Sequence, residues 1–141
     1  MTSREMTVDA CWRHLDDTAS GRVVLVHHGR PLDVPVHHVV DGRTIVFRTG
    51  AASPLGLLPS REPVRFEVDD ASTATGRSVL VVGEIERVEA HVREQIDPAP
   101  APWAPGRVEA WMRIVPTSVT GRELTLSAVR DHVLLLVAAP G

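Results

Sequence analysis

Hydrophobic residues change their spacing at Gly21. Before it, Val8, Cys11, Trp12, Leu15 and Ala19 recur every three or four residues, with Arg13, His14, Asp16 and Asp17 on the opposite side. That is the pattern of an amphipathic helix. Thr7 is suited to cap its start and Gly21 to stop it, so a helix is predicted over about 7–20. Beyond Gly21 apolar and polar residues alternate. The period of two predicts strands over 22–28, 33–40, 44–48, 64–69, 78–89 and 110–115, and a seventh over 123–129. Gly29-Arg30-Pro31 reads as one hairpin connection. Asp41-Gly42 reads as another, because this dipeptide readily adopts the positive φ angles of a tight turn. The first three strands should therefore form a meander.

The remaining connections differ in kind. Leu55-Gly56-Leu57-Leu58 is a short helical turn closed by Pro59, and 70–77 is a polar loop. The Pro-rich stretch 97–106 reads as an extended crossing of the same domain. Many short strands after one leading helix suggest a small antiparallel barrel, closed or partly closed. A chain of 141 residues fits a single domain over 1–141, with the barrel at about 22–126 and a tail over 127–141. The apolar run 133–137 in that tail needs burial, as an edge strand or on a partner subunit.

Composition narrows the function. A net charge of -3 and an ordinary apolar fraction fit neither a disordered chain nor a general nucleic-acid binder. There is no leading apolar segment, and the longest apolar run, 133–139, is too short to span a bilayer, so the expected setting is the cytoplasm, with no membrane contact. A lone cysteine, Cys11, excludes an internal disulfide and a cysteine-rich zinc site, and its place on the apolar helix face makes it a core residue. All 15 basic residues are arginines, and the chain has neither Lys nor Tyr. Schiff-base chemistry and catalysts built on a Tyr–Lys pair are thereby excluded.

Three groups of residues carry candidate chemistry. His27-His28 and His37-His38 invite a metal reading, but adjacent strand residues point to opposite faces. A turn near Arg30 would also set His38 opposite Arg22, roughly 20 Å from His28. No metal site is expected. Alternation instead puts Val34, Val36 and His38 on one face and Pro35, His37 and Val39 on the other, so one histidine of the pair must point inward. At the end of the strand over 44–48, Arg48, Thr49 and Ser53 gather among small residues. An arginine fork, two hydroxyls and accessible backbone N–H groups can hold a phosphate there. Capping of the next turn is the alternative use of the hydroxyls. Trp111, Arg113 and Val115 share one face of a later strand, and Trp111 suits either a core, an interface or a ligand. Glu67 and Asp69 alternate outward and read as solvated.

In wording and order the segment 31–55 resembles the FMN-binding split β-barrel of the pyridoxamine 5'-phosphate oxidase-like superfamily. The resemblance continues through Pro102-Trp103-Ala104-Pro105-Gly106, the run from Trp111 to Pro116, and Val119-Thr120-Gly121-Arg122. It spans roughly 10–124. It implies a six-stranded antiparallel Greek-key barrel with a leading α-helix and short helical turns. It further implies a symmetric homodimer with ligand sites at the interface, and an FMN-dependent oxidoreductase acting on a small molecule. By the same resemblance Pro35, Val36, His37 and His38 line the isoalloxazine, with His37 or His38 as hydrogen-bond or proton donor. Arg48, Thr49 and Ser53 take the phosphate, and Trp111 and Arg113 reach the flavin bound mainly by the other protomer. The chain departs from the family at Ser53-Pro54, where relatives commonly place a lysine. Pro54 removes that donor and a backbone N–H. The competing readings are a non-catalytic module for a flavin, the deazaflavin F420 or a haem with His37 or His38 as axial ligand, and a relative without any cofactor.

Overall fold

The structure is a computed structural model that describes residues 3–71, 75–102, 104 and 107–124. A short strand β1 (Ser3–Glu5) precedes helix α1 (Val8–Asp17), followed by β2 (Ser20–His27), β3 (Arg30–Asp41) and β4 (Thr44–Gly50). Then come β5 (Glu62–Ala71), β6 (Gly76–Arg87), a 3₁₀ helix (Ala90–Gln95) and β7 (Glu109–Leu124). The sheet runs β1-β7-β4-β3-β2-β5-β6, and β7 also pairs with β6, so the six long strands close into a barrel. β5 returns to lie beside β2 after the β2-β3-β4 meander, which is the Greek-key arrangement expected.

Alternation places the core. Val23, Leu25, Val36, Ile45, Phe47, Val64, Phe66, Val79, Val81, Ile85, Met112 and Ile114 fill the barrel, and Cys11, Trp12 and Leu15 of α1 close one end. Thr7 caps α1 as read, its hydroxyl accepting from the Ala10 N–H at 3.1 Å. Arg43 in the β3–β4 turn pairs with Asp9 in the first turn of the helix. The guanidinium holds the Asp9 carboxyl below its usual range.

Several expected boundaries moved, each for a physical reason. Gly21 does not stop the helix, which ends at a Thr18 cap. It lies inside β2, where a Cβ would come within 2.3 Å of the Phe66 ring, so the missing side chain is a packing requirement. The first hairpin turns one residue earlier than expected, on His28 and Gly29, both at positive φ, with His27 opposite Arg30. The second turns one residue later, on Gly42 and Arg43, again both at positive φ. Residues 110–115 and the start of the predicted seventh strand belong to one strand, β7, of 16 residues. Pro116 fits within it because the β6–β7 register slips between Val82 and Gly83, and a bulge dispenses with a ladder N–H. The apolar stretch at 55–58 forms hydrogen-bonded turns, with the Leu57 N–H donating to the Ser53 carbonyl at 3.0 Å. Residues 125–129 of the predicted seventh strand, the tail 127–141, and Trp103, Pro105 and Gly106 lie outside the described residues.

A second, smaller apolar cluster sits outside the barrel. Val46, Val88, Ile96 and Trp111, with Val39 and Val92 beside them, join the outer face of β3, β4 and β7 to the segment that follows β6. The Val88 N–H donates to the Trp111 carbonyl at 2.7 Å and pins that segment down. This covering segment shapes the candidate site.

Candidate functional site

The outward faces of β3 and β4 and the Pro-rich segment enclose a groove of about 60 Å³. Pro35, His37, Arg48, Thr49, Ala101 and Pro102 line it, together with Val34 and Val36. Arg48 is its centre. Register sets Arg48 opposite Trp111 and Gly50 opposite Glu109, so the arginine lies between two outward side chains of β7. Its guanidinium carbon stands 4.6 Å from the centre of the indole ring, a cation–π contact. Nη1 donates to the Pro100 carbonyl at 3.1 Å. Nε lies 3.1 Å from Oε2 of Glu109, an ion pair whose two side chains are only 22% and 17% exposed. That contact lacks hydrogen-bond alignment, since Nε is buried with no hydrogen-bond partner among the described residues. A second guanidinium, Arg93 of the 3₁₀ helix, approaches the same ring at 5.5 Å, and its Nε is likewise buried and unpartnered.

The hydroxyls beside Arg48 serve the turn. Ser53 donates its proton to the Gly50 carbonyl at 2.7 Å and accepts from the Gly56 N–H at 3.3 Å. The proton shared between Thr49 and Ser53 across 3.0 Å must therefore come from Thr49. Neither hydroxyl has a proton left for an anion in this arrangement. Gly56 allows the tight loop, for a Cβ there would meet the Gly50 carbonyl at 2.2 Å. Thr49 still borders the groove, whereas Ser53 is not among its lining residues. Pro54 is exposed on the turn and is not a lining residue either.

The two histidines of β3 part company. His37 is exposed on the outer face and lines the groove. His38 turns into the core, 4% exposed, with its ring edge-on to Phe66 at 4.9 Å. Its Nε2 contacts the Leu15 carbonyl at 2.8 Å. A carbonyl can only accept, so Nε2 carries the proton and Nδ1 is left as a buried acceptor without a partner among the described residues. Burial lowers the His38 pKa, against the raising effect of the Leu15 bond. His38 thus tethers the last turn of α1, and neither ring nitrogen faces the groove as a haem ligand would require. Arg113, on the same face as Trp111, donates to Asp41 at 3.0 Å and to Thr44 at 2.5 Å, away from Arg48. Of the expected site residues, the groove gathers Pro35, Val36, His37, Arg48 and Thr49. Trp111 lies beneath Arg48, while His38, Ser53 and Arg113 serve other contacts.

Three participants were not anticipated. Glu109 was legible in principle, since extending the alternation of β7 by one residue puts it on the face of Trp111 and Arg113. Arg93 and Pro100 lie in irregular backbone, where no period reports which way a group points. Among the described residues no cluster of three or more His, Cys, Asp or Glu could hold a metal ion. Among them, too, no helix is long and apolar enough to cross a membrane.

A family model described as pyridoxamine 5'-phosphate oxidase matches residues 7–123. An uncharacterised protein of Mycobacterium tuberculosis is 34% identical over 96 residues, 67% of this chain and 87% of its own. A candidate pyridoxamine 5'-phosphate oxidase of Corynebacterium glutamicum superposes with a TM-score of 0.77 at 28% identity, covering 88% of this chain and 94% of that one. An FAD-binding protein of Mycobacterium smegmatis superposes with a TM-score of 0.70 at 28% identity, covering 87% and 99%.

Proposed function

The chain belongs to the pyridoxamine 5'-phosphate oxidase family, and from that footing we propose that it is a flavin-dependent oxidoreductase acting on a small molecule. The observation that carries the reading is the groove on the outer face of β3 and β4, where the Arg48 cation meets an apolar wall of Pro35, Ala101 and Pro102. An arginine whose side chain keeps 22% exposure suits the phosphate of a flavin nucleotide, and the prolines suit the face of a ring. FMN is the cofactor the sequence resemblance implies, and FAD is the one named for the M. smegmatis relative. When bound, the flavin supplies the hydride chemistry, and the protein supplies orientation and charge. Arg48 would hold the anionic end, Trp111 would keep Arg48 in place, and His37 is the groove's protonatable side chain.

One chain does not make the whole site. A groove of about 60 Å³ is several-fold smaller than the roughly 300–1,000 Å³ of ordinary ligand pockets. A second copy, related by two-fold symmetry, would supply the opposite wall, so the working unit is a homodimer. The test is titration of the purified, cofactor-stripped protein with FMN and FAD, read by absorbance near ~370 and ~450 nm, with sedimentation in parallel. Saturable binding by a dimer is expected. A folded protein that binds neither nucleotide would overturn the flavin reading, and a monomer with full affinity would remove the partner from the site.

A further inference from the structure

We infer that helix α1 is an acid-released cover, which leaves the end of the barrel when His14 and His38 take up protons while the strand ladders stay closed. The inference concerns the barrel end, not the groove, and stands whether or not a flavin binds. A helix of 10 residues is too short to persist alone in water, so α1 depends on what it packs against. Its apolar grip is Cys11, Trp12 and Leu15. Its last turn and the residues just after it are tied to β3 by two hydrogen bonds. The His38 ring donates to the Leu15 carbonyl at 2.8 Å, and the His38 backbone N–H donates to the Ala19 carbonyl at 3.1 Å. The six long strands, by contrast, pair with one another around the whole barrel and take no ladder bond from α1. The helix can therefore leave as a local unit.

Two imidazoles are sealed where the helix meets the barrel, His14 at 5% and His38 at 4% exposed. His14 faces Asp17 of α1, Asp70 of β5 and Arg77 of β6. It shares a cleft with Arg4 and Glu5 of β1, Arg13 of α1 and Glu123 of β7, and Glu123 is taken up by Arg4 and Arg77. His38 faces Asp16 of α1 and His37 of β3, with the Phe66 ring edge-on. An imidazolium carries a proton on both nitrogens, so His38 Nδ1 and His14 Nε2 would each become an N–H. Both of those nitrogens are buried without a partner among the described residues. A charged donor lacking both water and an acceptor is costly. Burial accordingly outweighs the pull of Asp70, Asp17 and Asp16, and it lowers the pKa of both rings. With α1 detached, both rings reach water and regain their ordinary basicity. The open form then binds protons that the closed form refuses, so the closed form is fully favoured above about pH 6.5 and loses ground below it.

Cys11, the only cysteine of the chain, lies 0% exposed on the inward face of α1 and reports the release. The experiment labels the full chain with 4,4'-dithiodipyridine from about pH 7.5 to about pH 5, dividing each rate by that of the urea-unfolded chain at the same pH. Hydrogen-exchange mass spectrometry follows β2 to β6 in parallel. The normalised rate should rise about tenfold or more as pH falls, with the strands still protected. His14→Gln and His38→Gln, the second of which keeps an N–H for Leu15, should each flatten the rise, and the double variant should abolish it. A normalised rate that does not change with pH overturns the inference. So does exposure of Cys11 only in step with loss of strand protection, which is unfolding of the whole barrel, or a rise that survives in the folded double variant. Should a variant fail to fold, the wild-type contrast between Cys11 and the strands still decides the matter.

Discussion

His37 and His38 are neighbours in sequence, yet they belong to two polar regions on opposite sides of one sheet. Inside, His38 is sealed beneath α1, its N–H given to Leu15 and its other nitrogen buried. Outside, His37 borders a groove whose arginine is held by a ring, a carbonyl and a carboxylate. The inner region has given its one N–H to the fold and is closed to solvent. The outer region keeps part of Arg48 accessible beside apolar side chains, and its charge is balanced by a group that an incoming anion can oppose. Access together with reserve donor capacity marks the site, and the kind of residue alone does not.

The largest effect that would test this division is on stability. His38→Ala removes the Leu15 bond and opens a cavity beside Phe66. Unfolding in urea should show a loss of about 2–4 kcal/mol. Flavin affinity of the folded variant should stay as in wild type, since His38 faces away from the groove. A drop in affinity with no loss of stability would assign His38 to the outer region.

Next in size is Arg48→Ala. Loss of one charged hydrogen-bonding partner should weaken FAD or FMN binding by about 1.5–3 kcal/mol. Stability should change less, because Arg48 is partly exposed and Glu109 gains water when it leaves. A titration calorimeter resolves the difference, and unchanged affinity would place the phosphate elsewhere.

A pH series separates the regions in another way. Burial lowers the pKa of both His38 and His14 below the ordinary value of 6.5. The unfolded chain therefore takes up protons first, and stability is lost as pH falls below about 6.5 toward the folded values. Melts should be highest above pH 7 and decline toward pH 5. In His38→Ala the decline should flatten, leaving the part due to His14. A melting temperature that rises on acidification would contradict the buried, neutral state of both rings.

How much of this was legible beforehand follows from where period exists. The barrel was readable because Val23, Leu25, Ile45, Phe47, Met112 and Ile114 alternate with polar neighbours, and alternation fixes a face. It also required one of His37 and His38 to point inward. It could not tell which one a helix would cover. That depended on α1 packing over β3, a contact between residues far apart in sequence. The turn residues were found but misplaced by one, because Gly at either central position satisfies a two-residue hairpin. Gly21 was misread for a related reason. A glycine near a helix end looks like a stop, and only the position of Phe66 across the sheet shows that it is there for space. The phosphate site was legible at Arg48. Its counter-charge, Glu109, was hidden by a strand start placed one residue too late.

The smallest expected effect concerns Pro54. By the resemblance alone, Pro54→Lys would restore a phosphate donor and tighten FMN binding by about 1–2 kcal/mol. The exposed turn position, apart from the groove lining, reduces the expectation to that of a solvated charge, below about 1 kcal/mol. A gain of tenfold or more would show that the loop closes over the ligand.

The most direct measurement is isothermal titration of FAD into wild type, Arg48→Ala and His38→Ala at a temperature where all three are folded. The expected result is about 10- to 150-fold weaker binding for Arg48→Ala and wild-type affinity for His38→Ala. Equal affinity for wild type and Arg48→Ala, with weakened binding by His38→Ala, would contradict the assignment of the flavin site to the outer face of the barrel.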